Sequence, residues 1–262
     1  MQPNQLKSLL KNGGVAYGTF TRFGSGAAVE ILGYAGFDFV VIDMEHGPFG
    51  YETALELARA ARSVGMSSVV RVPENRPAYI MRALDIGADG VQVPQVESGE
   101  AARMAAGAAH YHPEGYRGVC RFTRAAQYSS ISAEEHFRTS NQEVLTVVHI
   151  EGKEAAREAE AIATTPGVDV VFIGPYDLSQ SMGLPGQVNH PDVVAAIDSI
   201  IKTCRRHGVV IGTFADTVET AAYWVERGAQ YITLLTDVGI LTQSCQELVK
   251  SLKAIRTGGH AQ

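Results

Sequence analysis

The chain has 262 residues, 45% hydrophobic and 8% aromatic, with a formal net charge of -6 and a pI near 5.8. That suits a single globular domain with an ample core and, lacking a basic stripe, excludes a dedicated nucleic-acid binder. No apolar run reaches the roughly 20 residues that span a bilayer.

Apolar, β-branched runs recur along the chain, separated by Ala-, Glu- and Arg-rich stretches of helical period. The first strand is predicted over 15–20 and is followed by TRFGSGAAVE, where Gly24 and Gly26 make a tight turn into a helix. A strand over 37–42, a helix over 51–64, a strand over 67–72 and a helix over 78–86 come next. Strand 90–93 and helix 99–108 lead into a long irregular stretch from about 110 to 141. Strand 145–150, helix 153–163, strand 169–173 and a helical entry at YDLSQSM follow. Helix 192–206, strand 208–214, helix 218–227 and strand 231–235 complete the alternation. An amphipathic helix is predicted over 240–255, and residues 257–262 read as a disordered tail.

Eight strands alternating with helices in one domain over 1–262 match an α/β fold of the (β/α)8 TIM-barrel type. An open doubly wound sheet is the alternative, but Gly24-Ser25-Gly26 lacks the third glycine and the acidic partner of a dinucleotide fingerprint. Cys120, Cys204 and Cys245 are too scattered for a disulfide framework or a zinc pattern, which fits a reducing cytoplasm. The N-terminal MQPNQLKSLLKNGG lacks the apolar core and cleavage site of a signal peptide.

In such a barrel the chemistry gathers where strands end. FDFVVIDMEHGP ends strand two in Asp43, Glu45 and His46, and strand three ends in Arg71. Strand four brings Gln92, Gln95 and Glu97, and strand five His149 and Glu151. Strand six brings Gly174, Pro175, Tyr176 and Asp177; strands seven and eight bring Thr213, Asp216, Thr236 and Asp237. Glu151 and Asp177 close adjacent strands, so they can share a divalent cation with room for water and substrate, or each can cap the helix that follows. Asp43 and His46 read either as a proton-transfer dyad or as an ordinary turn. Arg71 reads as a clamp for a carboxylate or enolate, or as a structural partner of Asp43, Glu45 or Glu151. His149 suits a supporting place beside a metal-bound group. Cys120 has no activating neighbour, and Asp85 reads as part of a turn.

The segments DMEHGP, VVRVPEN, LDIGADGVQVPQVES, GYRG, HIEG and VFIGPYDLSQSMGLPGQ occur in this order. Together they resemble the HpcH/HpaI aldolase family, the metal-dependent class II pyruvate aldolases, over nearly the whole chain. The resemblance implies Glu151 and Asp177 as ligands of a divalent ion, Mg²⁺ or Mn²⁺ with Co²⁺ as a further candidate. It implies His46 as the catalytic base with Asp43 beside it, and Arg71 at the pyruvate ketone oxygen. It assigns the pyruvate carboxylate to Gly174, Pro175 and Tyr176, and brings Asp85 to a neighbouring subunit's histidine. A hexamer built as a dimer of trimers, with the C-terminal helix exchanged between subunits, is implied as well. The chain departs from the resemblance at His149, where Gln is common, which bears on substrate positioning and not on the metal pair.

The activity so implied is reversible cleavage of a 4-hydroxy-2-oxo acid to pyruvate and an aldehyde, in the cytoplasm, without nucleic-acid or membrane partners. No lysine ends a strand where a Schiff base would need one. Alternatives are another lyase working through an enolate, such as a 2-oxo acid decarboxylase or a CoA-thioester lyase, and a non-catalytic barrel that binds a small acid. For CoA, Arg117, Arg121 and Arg124 in the long loop are the available phosphate-binding groups.

Overall fold

The β-branched runs pair in sequence order. In the computed structural model, which describes residues 3–258, they close into an eight-stranded parallel barrel. The strands are β1 (Ala16–Thr21), β2 (Phe39–Asp43), β3 (Ser67–Arg71), β4 (Gly90–Val93), β5 (Leu145–Ile150), β6 (Val170–Ile173), β7 (Val210–Ala215) and β8 (Tyr231–Thr236). The barrel class therefore stands, and the open-sheet alternative falls because β1 pairs with β8.

Side chains alternate across each strand. Val40, Ile42, Val70, Val91, Val148, Ile150, Val171 and Ile173 turn outward into the layer shared with the helices. Phe39, Val41, Val69, Val147, Val170, Phe172 and Tyr231 fill the barrel interior. Continuing that inward row toward the C-terminal ends brings Asp43 after Val41, Arg71 after Val69, and His149 and Glu151 after Val147. The fold thus aims its polar strand ends at one mouth.

The outer layer contains α2 (Gly26–Tyr34), α3 (Tyr51–Ser63), α4 (Pro77–Asp85), α5 (Gly99–Ala109), α9 (Pro175–Ser181), α10 (Pro191–His207) and α11 (Val218–Glu226). The helix expected over 153–163 is divided at Glu158 into α7 (Lys153–Arg157) and α8 (Ala159–Ala163). Two further helices were not anticipated. One is α1 (Gln5–Lys11), capped by Asn4, whose Leu6 and Leu10 plug the lower end of the barrel. The other is α6 (Ala133–Glu143), inside the stretch expected to be irregular. Its start is encoded by Ser132, whose hydroxyl accepts from the Glu135 amide at 3.2 Å.

α6 ties the long loop down. The Asn141 amide group bonds the backbone of Tyr111 in both directions, at 2.8 and 2.9 Å. His136 lies buried between the Tyr111 hydroxyl and the Ser140 hydroxyl. The last helix, α12, spans Asp237–Gly258 and so extends the expected 240–255 at both ends. Residues 257 and 258 of the expected tail are helical, and 259–262 lie outside the described residues.

Burial, reinforced by the nearby Arg117 and Arg121, lowers the His136 pKa from 6.5 to about 4. Between those values the unfolded chain takes up a proton that the folded chain refuses, so stability falls as pH drops through that window, by about 3 kcal/mol at most. His136→Gln should flatten this part of the pH dependence of the urea midpoint. An unchanged slope would mean that another group controls it.

Candidate active site

The inward row opens into a hollow with two lobes. One, of about 240 Å³, is walled by Phe20, Arg22, Arg71, His149, Tyr176 and Phe214 among others. The second, also about 240 Å³, is walled by Glu45, Gln95, Glu97 and Ser181 among others. His46, Glu151 and Asp177 border both lobes. A larger hollow of about 380 Å³ near Lys7 and Asp169, at the opposite end, shows no comparable convergence.

Glu151 is held from several sides. Its Oε1 accepts from the Gln95 amide at 2.7 Å, and Gln95 takes a left-handed φ of 53° to present that amide. Its Oε2 meets His149 Nδ1 at 2.8 Å. A Cβ on Gly174 would lie 2.9 Å from both Cβ and Oε2 of Glu151, so only glycine fits there. Burial opposes ionisation of Glu151, but the His149 ring, the Gln95 amide and Arg71 together bring its pKa down to about 2.

His149 is the end of a buried chain. The Tyr231 hydroxyl donates to Gln92 Oε1 at 2.9 Å, which turns the Gln92 amino group toward His149 Nε2 at 2.7 Å. That nitrogen must accept, so the proton sits on Nδ1 and is donated to Glu151. The ring stacks on Phe172 with centroids 4.5 Å apart. His149 therefore borders the hollow while its two nitrogens face protein groups.

Asp43 and Arg71 are register partners on neighbouring strands. The carboxylate of Asp43, fully buried, accepts from Arg71 Nε at 2.9 Å and Nη2 at 2.7 Å. Arg22 Nε adds a bond at 2.9 Å. Burial alone would raise the Asp43 pKa, but Arg71, with Arg22 and the His46 amide, keeps it below the usual carboxylate range. Arg71 Nη1 reaches Glu45 at 2.9 Å, and its guanidinium lies over the Phe20 ring. Burial, partly offset by Arg71 and augmented by Glu151, raises the Glu45 pKa.

The structure departs from the expected Asp43–His46 dyad. Asp43 accepts the backbone N–H of His46 at 3.2 Å, while the imidazole, 57% exposed, projects to the mouth. Asp43 is already occupied by two guanidinium groups and lies within the barrel. The acid paired with the ring is Glu45, whose Oε2 stands 3.8 Å from Nε2, beyond hydrogen-bond reach. Asp85 does not border the hollow; it pairs with Arg117 Nη2 at 2.7 Å. Asp237 is equally structural, accepting from Thr21, Arg22 and Phe23 at the end of β1.

The helix-capping alternative fails for both carboxylates. Neither α7 nor α9 has a side-chain cap, and Asp177 lies in the first turn of α9 without a hydrogen-bond or ion-pair partner among the described residues. Arg117 pairs with Asp85, Arg121 and Arg124 each donate to backbone carbonyls, and none of the three lines either lobe. No lysine lines either lobe among the described residues.

The profile of the HpcH/HpaI aldolase/citrate lyase family matches residues 17–244. The chain belongs to this family. A 5-keto-4-deoxy-D-glucarate aldolase of Escherichia coli (strain K12) is 35% identical over 251 residues, covering 96% of this chain and 97% of the relative. The crystal structure of an HpcH/HpaI aldolase/citrate lyase family protein from Burkholderia cenocepacia J2315 superposes with a TM-score of 0.91 at 33% identity, covering 95% of this chain and 99% of that one. A citrate synthase, SbnG, superposes with a TM-score of 0.86 at 29% identity, covering 97% and 99%. As an HpcH/HpaI family member the chain is an aldolase-type lyase.

The direction of the buried chain in this HpcH/HpaI member is testable. Magnetic resonance on isotope-labelled histidine should find neutral His149 protonated at Nδ1. Gln92→Leu should release that preference and lower stability by about 1–3 kcal/mol, because a buried acceptor loses its donor. An Nε2-protonated ring in the unsubstituted protein would contradict the chain.

Proposed function

We propose that the protein is a divalent-metal-dependent aldolase that reversibly cleaves a 4-hydroxy-2-oxo acid to pyruvate and an aldehyde. The observation that carries this reading is the pair Glu151 and Asp177, two carboxylates on one hollow, of which Asp177 has no partner among the described residues. No cluster of three or more His, Cys, Asp or Glu stands ready to enclose an ion among the described residues. Two carboxylates completed by water and substrate suit Mg²⁺ or Mn²⁺, with Co²⁺ also acceptable, better than structural zinc. When bound, such an ion would act as a Lewis acid at the 2-oxo group.

The chain's own groups supply the rest. Three of the five N–H donors of Arg71 are committed to Asp43 and Glu45, which leaves two for the ketone oxygen as it gains enolate charge. Asp43 fixes that arginine and thus acts as a positioning group. The turn Gly174, Pro175 and Tyr176 walls the lobe and is assigned the pyruvate carboxylate. His46, on the border of both lobes, takes the C4 hydroxyl proton. As that O–H breaks, the aldehyde C=O forms, and the C3–C4 electron pair moves into the pyruvate enolate. His46 returns a proton to C3.

This reading predicts metal-dependent exchange of pyruvate methyl protons with deuterated water, and pyruvate release from a panel of 4-hydroxy-2-oxo acids. Chelation should stop both and metal add-back restore them. His46→Ala should slow exchange by about 10²-fold or more while metal binding persists. Full activity after complete metal removal would sink the mechanism, and undiminished exchange would remove His46 from the base role.

We also infer a homo-oligomer, with the family-like hexamer as the arrangement proposed. Every described side chain from 241 to 255 on α12 is exposed. They include Leu248 at 65%, Leu252 at 65% and Ile255 at 73%, which with Leu241 form one apolar stripe. Exchange of this helix with a second copy would bury it. Asp85 belongs to the same proposal, since turned from its own hollow it would act at a neighbour's His46. Three free thiols fit a reducing cytoplasm, and among the described residues no helix is long and apolar enough to cross a membrane. Leu248→Glu with Leu252→Glu should reduce the mass measured by light scattering toward that of one chain. An unaltered mass would place the interface elsewhere.

A further inference from the structure

We propose that Arg22 selects the aldehyde by binding a carboxylate at its far end, so that 4-hydroxy-2-oxo diacids are preferred substrates; this rests on the aldolase reading above. Arg22 follows β1, and its position is fixed by both ends of the residue. Its backbone N–H donates to Asp237 Oδ1 at 2.9 Å and Oδ2 at 3.1 Å. Its side chain is rooted by Nε on Asp43 Oδ2 at 2.9 Å. Both Nη atoms lack a hydrogen-bond or ion-pair partner among the described residues, and the side chain, 37% exposed, borders the first lobe.

Asp43 does not need this second guanidinium. Arg71 already binds it through two nitrogens, so Arg22 gives Asp43 only its Nε and keeps both terminal nitrogens for another acceptor. Among the described residues the only carboxylates lining the first lobe are Glu151 and Asp177, which are assigned to the metal. Asp216 is capped by the Tyr176 hydroxyl at 2.6 Å. Phe20 and Phe214 line the same lobe as Arg22 and form apolar walls around its polar end. The second lobe is lined instead by Glu45 and Glu97, which would repel an anion. A substrate with an anionic tail is therefore directed into the first lobe, where a guanidinium with two free terminal nitrogens can bind a carboxylate through paired bonds.

The test compares aldol addition of pyruvate to a short aldehyde ending in a carboxylate with addition to its carboxamide isostere, using metal-loaded full-length enzyme. The acid should be favoured about 10- to 100-fold in kcat/KM, mainly through KM. Arg22→Gln should collapse that ratio to within about threefold of unity, and Arg22→Lys should restore part of it. The ratio is independent of how much enzyme is correctly folded. Should Arg22→Gln not fold, the preference of the unsubstituted enzyme and its decline with added salt decide the matter. No preference, or a ratio untouched by Arg22→Gln, overturns the proposal. Deuterium exchange into pyruvate on the same sample separates the two readings. Exchange without preference overturns the role of Arg22 alone, whereas no exchange overturns the aldolase reading beneath it.

Discussion

A carboxylate at the end of a buried strand persists only if its charge is met, and the way Glu151 is met organises the mouth of this barrel. One oxygen is fixed by the Gln95 amide, which costs a left-handed backbone at that residue. The other is fixed by His149, whose tautomer is set by Gln92 and Tyr231. Tyr231 stacks on Phe39 inside the barrel with centroids 4.2 Å apart, so the orientation of Glu151 is connected to core packing. Gly174 completes the constraint from β6 by leaving out a side chain. Asp177, in the first turn of α9, borders the same hollow as Glu151 with no such attachments among the described residues.

The opposite wall follows a different logic. Asp43 and Arg71 sit side by side because β2 and β3 pair in that register, and each needs the other once buried. Removing one partner of such a pair typically costs about 3–5 kcal/mol. The consequence is functional as well as structural. Asp43 holds the guanidinium group in place and Glu45 takes a further corner of it, where Arg71 lines the first lobe. His46 touches this network only through Glu45, 3.8 Å from its Nε2, and its ring stays exposed between the lobes.

Much of this was legible in the sequence, and the limits have physical causes. Eight apolar runs and the polar residues that end them fix the barrel and its mouth, because strand period and helix period are local signals. Alternation from Val147 places His149 and Glu151 on the same inward row. What a carboxylate bonds is not local. Asp43 lies three residues before His46 in sequence, yet its partner is Arg71, reached across the strand register. The buried chain from Tyr231 to His149 joins residues far apart along the sequence and carries no motif. α6 is too polar to show a helical apolar period although Ser132 and Glu135 spell a helix start, and α1 is only seven residues long although Asn4 caps it. Arg22 carries no local signal either, because its partner Asp43 lies on the neighbouring strand and the glycines after it mark only a turn.

The central claim is that Glu151 and Asp177 together hold the ion on which pyruvate binds. Diffraction from crystals soaked with Mn²⁺ and pyruvate, recorded for the anomalous signal of manganese, tests it most directly. The account predicts one manganese peak per chain between those two carboxylates, with pyruvate in the lobe bordered by Arg71. A peak bound instead at Glu45 and His46, or no peak in the hollow at saturating Mn²⁺, would contradict it.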